Sequence, residues 1–118
     1  MRYMLLIYLD EQALGETERQ ECYVESAQLA QEIHSRGQYL AAAPLHPTST
    51  ATSIRVRDGK RLVTDGPFAE TREQLGGYFL IEARNLDEAM DIAARIPMAR
   101  KGTVEVRPVI EVAGLPGK

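Results

Sequence analysis

The sequence predicts a single α+β domain in which two helices cover one face of an antiparallel sheet. Two observations lead to this class. The apolar patterns run along the chain as strand, helix, strand, hairpin, strand, helix and strand. The first strand is apolar at nearly every position, which is typical of a central strand covered on at least one face. Together they favour a split β-α-β arrangement with a hairpin between its two halves.

Length and composition limit the class of protein before any motif is considered. The chain has 118 residues, of which 44% are hydrophobic and 26% charged, as expected for one soluble globular domain. We assign residues 1–112 to that domain and residues 113–118 to a flexible tail. The 14 basic and 17 acidic residues give a net charge of −3, which argues against a nucleic-acid partner. One cysteine and no membrane-length apolar run predict a cytoplasmic protein without a membrane partner.

The first three elements have clear signals. We expect a strand over Arg2–Leu9, a helix over Glu16–Ser35 ended by Gly37, and a strand over residues 39–45. His34 lies at the edge of the apolar side of the helix and is expected to be partly buried and structural. That apolar side is a broad stripe of Cys22, Tyr23, Ser26, Ala27, Leu29, Ala30 and Ile33.

The hairpin is predicted from its turn. Residues Thr52–Arg57 and 60–64 flank Asp58-Gly59, the dipeptide preferred in a type I′ turn. A two-residue turn pairs Arg57 with Lys60 and alternates the side chains between two faces. We expect one face to pack inward through Ile54, Val56 and Val63. The other face carries a cationic strip of Arg55, Arg57 and Lys60.

The second half repeats the strand–helix–strand pattern. We expect a strand over residues 77–83, then a helix with Asn85 as its N-cap and Glu88 completing a capping box. The last strand is expected over residues 104–112. Because Pro108 cannot donate to a sheet ladder, it predicts an edge position or a bulge.

These elements amount to a ferredoxin-like fold with an inserted β-hairpin. Two helices cover only one face of such a sheet, and the first strand is apolar on both faces. A large uncovered apolar surface is typical of an interface or a binding site. We therefore expect a homodimer formed through the open sheet face, with a cleft between or beside the two sheets.

The segment that begins at Asp65 is the least generic part of the chain. Asp65 can accept hydrogen bonds from nearby backbone groups as an Asx-turn, and Gly66 permits positive φ. Pro67 restricts the next φ, and we expect Phe68 to anchor the loop in the core. Gly76-Gly77 allows close backbone approach where the next strand begins.

This segment resembles the DGPF motif of the YCII-related family, and the resemblance covers roughly residues 1–112. The matching features are Asp65-Gly66-Pro67-Phe68, Glu73, Gly76-Gly77-Tyr78, Ser53-Ile54-Arg55-Val56, Gly37 and Ala43-Pro44. The resemblance implies a ferredoxin-like dimeric α/β barrel. It also implies a bacterial cytoplasmic protein, often encoded beside an extracytoplasmic-function sigma factor, and hence association with such a factor.

The same family informs the question of catalysis. Some of its members carry a His–Asp pair proposed to be catalytic, on the first helix and near its end, and one branch is linked to dechlorination of an aromatic ring. Glu25 and Ser35 occupy those two places in this chain. The pair is not retained, so the resemblance does not decide whether this protein is an enzyme.

Five residues are the candidates for a site. Asp65 and His46 are the catalytic candidates, because one is the motif acid and the other a strand-end histidine that can exchange protons near neutral pH. Arg55, Phe68 and Tyr78 are the ligand-binding candidates. Each also has a structural interpretation: a turn aspartate, a loop histidine, a solvated cation, and aromatic residues that pack a core or a dimer. No metal-ligand spacing and no cofactor motif is present.

Three functions remain open at this stage. The first is a small-molecule site at a dimer cleft, which becomes an enzyme if Asp65 and His46 act together. The second is a non-enzymatic regulatory module that acts with a sigma factor. The third is a dimeric scaffold in which the DGPF loop only stabilises the fold.

Overall fold

The computed structural model describes residues 1–117 as eight main elements and two short 3-10 segments. The elements are β1 (Arg2–Leu9), α1 (Glu16–Ser35), β2 (Tyr39–Pro44), β3 (Thr52–Arg57), β4 (Lys60–Asp65), β5 (Gln74–Glu82), α2 (Leu86–Ala94) and β6 (Thr103–Pro108). The 3-10 segments are Thr48–Thr50 and Pro97–Arg100. Part of the predicted tail, residue 118, lies outside the described residues.

Four of the strands form one antiparallel sheet in the order β2-β5-β1-β6. Strand β1 is central, as its apolar sequence predicts, and β6 lies at an edge with Pro108 opposite Tyr3. Both helices pack on one face, because side chains of α1 and α2 share a single core with alternate residues of β1 and β5. The architecture is α+β and is compatible with a ferredoxin-like fold.

Local signals set the helix ends. Gly37 follows α1 with φ of 74°, a conformation that favours glycine and stops the helix. Asn85 caps α2 by accepting a hydrogen bond from the Glu88 backbone N–H at 2.9 Å. The Glu88 carboxylate reaches one residue further back than the capping box predicts, and accepts from the backbone N–H of Arg84 at 2.9 Å.

The buried side of α1 is narrower than its sequence predicts. Only Leu29 and Ile33 are fully buried, whereas Tyr23 is 39% exposed. The expectation of a partly buried His34 is wrong: this residue is exposed, with its ring edge-on to Tyr39 at 6.0 Å. Small side chains make up much of the stripe, and they do not reach far enough to close the space between the helix and the sheet.

Because β5 and β6 pair with β1, one end of each strand differs from the end that the sequence predicts. Strand β5 begins at Gln74, earlier than predicted, because Leu9 at the end of β1 pairs with it. Strand β6 ends at Pro108 and not at residue 112. After Val109 donates its N–H to the carbonyl of Arg2 at 2.9 Å, β1 offers no further partner.

The second face of the sheet is covered by neither helix. It carries Met4, Leu6 and Tyr8 of β1, with Tyr78 and Leu80 of β5 beside them. These five side chains are half-buried, since neighbouring strands shield part of each. We call this surface the open sheet face.

Strands β3 and β4 form a separate two-stranded sheet. Their register is the one that the turn predicts, with Arg57 opposite Lys60, and Asp58 and Gly59 have φ of 53° and 74° as a type I′ turn requires. The expectation that their apolar face packs inward is wrong within a single chain. Its three side chains are more than half exposed: Ile54 58%, Val56 58% and Val63 56%.

The shape of the chain agrees with this exposure. The radius of gyration is 16.0 Å, whereas a compact domain of this length has about 13.5 Å. The molecule measures 47 × 42 × 21 Å. An element that projects from the main body accounts for the excess.

Candidate functional site

A cavity of about 910 Å³ opens between α1 and one end of the main sheet. Its sheet side includes Ile7 and Leu9 of β1, Ala42 of β2 and Phe79 of β5. The helix side consists of one face of α1, and Ile96, Pro97 and Met98 close the far end. The volume falls within the range of small-molecule pockets, roughly 300–1,000 Å³.

The cavity exists because small residues line it from both sides. Cys22, Ser26 and Ala30 recur every four residues along α1 and so lie above one another on one face. Ala42 and Gly77 are equally small on the sheet side. Leucine or isoleucine at these helix positions would fill the space as a normal core does.

One wall of the cavity is fixed by hydrogen bonds between two connections. The Glu11 carboxylate, after β1, accepts from the backbone N–H of Thr48 at 2.9 Å and from its hydroxyl at 2.7 Å. These bonds tie the segment after β2 to the segment after β1. Glu11 lines the cavity, so its carboxylate is already occupied in shaping that wall.

Several polar side chains of the cavity lining remain available to a ligand. Arg19 lines it but is paired with Glu16 at 3.0 Å. His34 and His46 also line it, and neither imidazole forms a hydrogen bond or an ion pair within residues 1–117. These imidazoles, together with Ser26 and Gln31, whose side chains also form no hydrogen bond within residues 1–117, give a largely apolar cavity a polar margin.

A row of ion pairs holds α1 to the segment after α2. Glu18, Glu25 and Glu32 are spaced by seven residues, and they pair with Lys101, Arg100 and Arg95. Residues two helical turns apart lie on one side of a helix. None of these three glutamates lines the cavity. The helix is thus held along one side by charges, while the cavity runs along another.

The same ion pairs shift the acidity of these carboxyls. Hydrogen bonds from Arg100 lower the pKa of Glu25 below its ordinary value of 4.5. The hydrogen bond from Lys101 likewise lowers the pKa of Glu18. Both carboxylates therefore stay ionised, and neither serves as a proton donor near neutral pH.

The structure separates the predicted site residues into two groups. His46 and Tyr78 line the cavity. Arg55 lies on the exposed hairpin, and Asp65 and Phe68 lie at its end, all three outside the cavity lining. A single chain therefore does not bring Asp65 into the cavity with His46.

The DGPF segment is held by its neighbours and not by its two distinctive side chains. Phe68 is 81% exposed, so the expectation that it anchors the loop in the core is wrong. The Asp65 carboxylate accepts no hydrogen bond from any residue between 1 and 117, so the expected Asx-turn is also wrong. Instead the Gly66 N–H donates to Ala51 and its carbonyl accepts from the Ser53 hydroxyl, both at 2.7 Å.

Sequence reasoning did not identify Glu11, His34 and Tyr39 as residues of the cavity. Glu11 lies in a polar loop, and the sequence predicts a structural role for His34. A usable signal existed in the spacing of Cys22 and Ser26. Small side chains at helix positions that normally carry large ones predict a gap between the helix and the sheet. The gap forms only if the facing strand residues also have small side chains.

Residues 1–117 contain neither a metal-binding cluster nor a membrane-spanning helix. Within residues 1–117 no group of three or more histidine, cysteine or acidic residues is arranged to hold a metal ion. No helix in that range is long and apolar enough to cross a bilayer.

Comparison with known proteins agrees with the resemblance carried by the motif. The model of the YCII-related domain matches residues 1–113. A curated relative, an uncharacterized protein of Rhizobium meliloti (strain 1021), is 37% identical over 114 residues. The matched region covers 92% of this chain and 92% of the relative.

Proposed function

This chain belongs to the YCII-related family, and on that premise we propose that it binds a small, largely apolar molecule in the cavity under α1. From its Asp65-Gly66-Pro67-Phe68 segment we also propose that it belongs to the DGPF-motif branch of that family. The observation that carries the proposal is the cavity itself, about 910 Å³ between one helix and the sheet. A cleft of that size with a mostly apolar lining exposes apolar surface to water, and a bound apolar ligand would cover that surface.

The distribution of polar groups supports an amphipathic ligand. Aliphatic and small side chains line most of the cavity, and the imidazoles of His34 and His46 lie at its margin without hydrogen-bond partners among residues 1–117. An apolar body fits the interior, while an acidic or hydrogen-bonding group fits beside the imidazoles. His46 is positioned to exchange a proton with such a group. Tyr78 is also part of the cavity lining, although it pairs with Leu6 and alternation puts its side chain on the open sheet face.

We further propose that the protein acts as a homodimer, the dimeric α/β barrel of its family. The open sheet face supports this, because an apolar surface of that kind is usually an interface. Chemistry that used Asp65 with His46 would then need the Asp65 of a second copy. No described feature favours sigma-factor binding over ligand binding, and the cavity favours the ligand.

A fluorescent probe tests the binding proposal without knowledge of the natural ligand. We would titrate the folded protein with 1-anilinonaphthalene-8-sulfonate, whose rings suit the cavity and whose sulfonate suits the imidazoles. Ala30→Phe fills the cavity from α1, and Ser26→Leu is a milder version should the first variant not fold. We expect each to lower probe affinity at least tenfold.

A matched control separates the cavity from other apolar surfaces. Gln28→Phe adds the same ring to the same helix at an exposed position outside the cavity lining. It should leave probe affinity unchanged, with folding of all variants checked by circular dichroism. Equal affinity in the wild type and in folded Ala30→Phe or Ser26→Leu would refute binding in the cavity.

A further inference from the structure

We infer that the β3–β4 hairpin packs face to face, about a twofold axis, on the same hairpin of a second copy of this chain. The surface that makes this contact consists of three cross-strand pairs, Thr52 with Asp65, Ile54 with Val63, and Val56 with Arg61. We call it the hairpin face. It is separate from the open sheet face, so the inference goes beyond the proposed homodimer and does not depend on it.

The hairpin needs a cover that its own chain does not provide. A two-stranded hairpin by itself is marginally stable in water, and this one forms no ladder with the four-stranded sheet. Ile54, Val56 and Val63 share one face, and each is more than half exposed. The sheet-to-sheet homodimer uses the four-stranded sheet, to which the hairpin does not belong. The hairpin face therefore needs a contact of its own.

The base of the hairpin is well fixed although its faces are not. Beyond the last step of the ladder, Gly66 donates its N–H to the carbonyl of Ala51 at 2.7 Å. The Ser53 hydroxyl donates to the carbonyl of Gly66, also at 2.7 Å. The hairpin therefore leaves the domain as one unit in a defined direction, which a specific contact between two copies requires.

The two charges of the hairpin face are placed symmetrically about its centre. Alternation along β4 puts Arg61, Val63 and Asp65 on one side of the strand. Arg61 lies toward the turn, Asp65 lies at the base, and Val63 lies midway between them. Neither charged side chain forms an ion pair or a hydrogen bond with another residue in the range 1–117. The face thus carries one unpaired cation and one unpaired anion at equal distances from an apolar middle.

Such a face is complementary to a copy of itself. A twofold axis that runs across the strands at the level of Val63 reverses the second hairpin, so that its tip lies over the base of the first. Arg61 of each copy then meets Asp65 of the other, and Val63 packs on its own counterpart. Packed sheets lie about 10 Å apart, a gap that an arginine and an aspartate bridge from its two sides. Two charge-assisted pairs therefore flank a shared apolar centre.

The opposite face of the hairpin does not suit a contact between copies. It carries Arg55, Arg57 and Lys60, and its strand residues include no acidic side chain. Two such faces would repel each other across a twofold axis. Its one large apolar residue, Leu62, pairs with Arg55 and lies among these cations. The distribution of charge thus decides which face of the hairpin meets a second copy.

The contact also gives the motif aspartate a role. Asp65 is an exposed acid without a partner in its own chain. In the paired hairpins it becomes an interface residue that fixes the relative direction of the two copies. Proton transfer in the cavity then falls to the imidazoles and not to Asp65.

Charge reversal at the two positions tests the contact. Arg61→Asp places two acids opposite each other, and Asp65→Arg places two arginines opposite each other, each twice because of the twofold axis. We expect each single variant to raise the dissociation constant for self-association at least tenfold. The double variant Arg61→Asp/Asp65→Arg exchanges the charges and should return the constant to within about threefold of the wild type. Sedimentation and native mass spectrometry measure these constants.

Two further variants complete the set. Arg55→Asp makes the same change of net charge on the opposite face of the same hairpin, so it is the matched control and should leave the constant unchanged. Val63→Ser removes the apolar centre without changing the charge, and should weaken association at least tenfold. Circular dichroism checks that every variant is folded.

The outcomes separate this contact from the proposed homodimer. A wild type that stays monomeric at micromolar concentration refutes both. Self-association that folded Arg61→Asp leaves unchanged, or that the double variant fails to restore, refutes the hairpin contact while the homodimer stands. Association that follows the charge reversals but is unaffected by Leu80→Asp, on the open sheet face, supports the hairpin contact and refutes the homodimer. Binding to anionic phospholipid vesicles that Val63→Ser abolishes, with self-association unaffected, would assign the face to a membrane and overturn the inference.

Discussion

The Glu25 carboxylate accepts two hydrogen bonds from the Arg100 guanidinium, at 3.0 and 2.9 Å. This bidentate pair is the middle member of the row that joins α1 to the segment after α2. Position 25 is where the resemblance places the histidine of the catalytic pair found in some family members. In this chain the position has a structural task, which is to hold α1 beside the cavity. The catalytic role proposed for that histidine in some family members therefore cannot be assigned to Glu25.

Removal of this ion pair should weaken the fold by a small, salt-dependent amount. Glu25→Gln and Arg100→Gln should each lower the melting temperature slightly, because the pair is exposed and screened. The double variant should lose little more than either single variant. In 1 M salt, where the Debye length is about 3 Å, the differences should nearly vanish. Thermal unfolding followed by circular dichroism measures this, with exposed Glu111→Gln as the control.

Acid should destabilise the protein through three carboxyls. Hydrogen bonds from Lys101, Arg100 and the Arg84 backbone lower the pKa values of Glu18, Glu25 and Glu88 below 4.5. A lowered pKa in the folded state stabilises the protein above the ordinary value, and that contribution is lost as pH falls through the folded value.

The corresponding measurement is the melting temperature as a function of pH. The wild type should lose stability steadily below about pH 4.5. A variant with glutamine at positions 18, 25 and 88 should begin less stable near neutral pH and show a shallower acid slope. Parallel slopes for the two proteins would mean that other groups dominate the acid transition.

The free energy of unfolding should depend more on the glycine of the DGPF loop than on its aspartate. Gly66 has φ of 108°, so Gly66→Ala should cost about 1–3 kcal/mol of unfolding free energy through backbone strain. The Asp65 carboxylate has no partner in the described chain, so Asp65→Asn should change stability by less than about 0.5 kcal/mol. Urea denaturation of a dilute, monomeric sample compares the two. A larger loss of stability for Asp65→Asn than for Gly66→Ala would support the turn role that the sequence predicts for Asp65.

Gly102 should not tolerate a side chain. A Cβ atom at this position would lie 2.1 Å from the backbone carbonyl oxygen of Tyr8, so the edge strand and the central strand would have to separate. We expect Gly102→Ala to reduce the unfolding free energy by about 1–3 kcal/mol, as other overpacked sites do. Gly117→Ala, which meets nothing within 4 Å, is the matched control and should be neutral in the same urea titration.

Several elements follow from local sequence chemistry alone. The limits of β1 and α1, the glycine that stops α1 and the register of the hairpin are all as predicted. Each depends on residues close together in the chain: an apolar run, a left-handed glycine, or a two-residue turn. The family also follows from a short segment, because the DGPF motif and the glycines after it are contiguous.

The candidate site could be predicted only in part, because it depends on residues that meet across the fold. His46 and Tyr78 are part of the cavity lining, but the cavity arises where small residues of α1 face small residues of β2 and β5. No single stretch of sequence contains both sides of that gap.

The sequence by itself determined that Ile54, Val56 and Val63 form one apolar face. Only the tertiary structure decided that this face lies outside its own domain, since the direction in which the hairpin leaves the sheet depends on contacts at its base. The alternation of apolar and polar side chains along a strand indicates that one face is buried. Which part of the protein buries that face depends on packing between segments that are distant in the sequence.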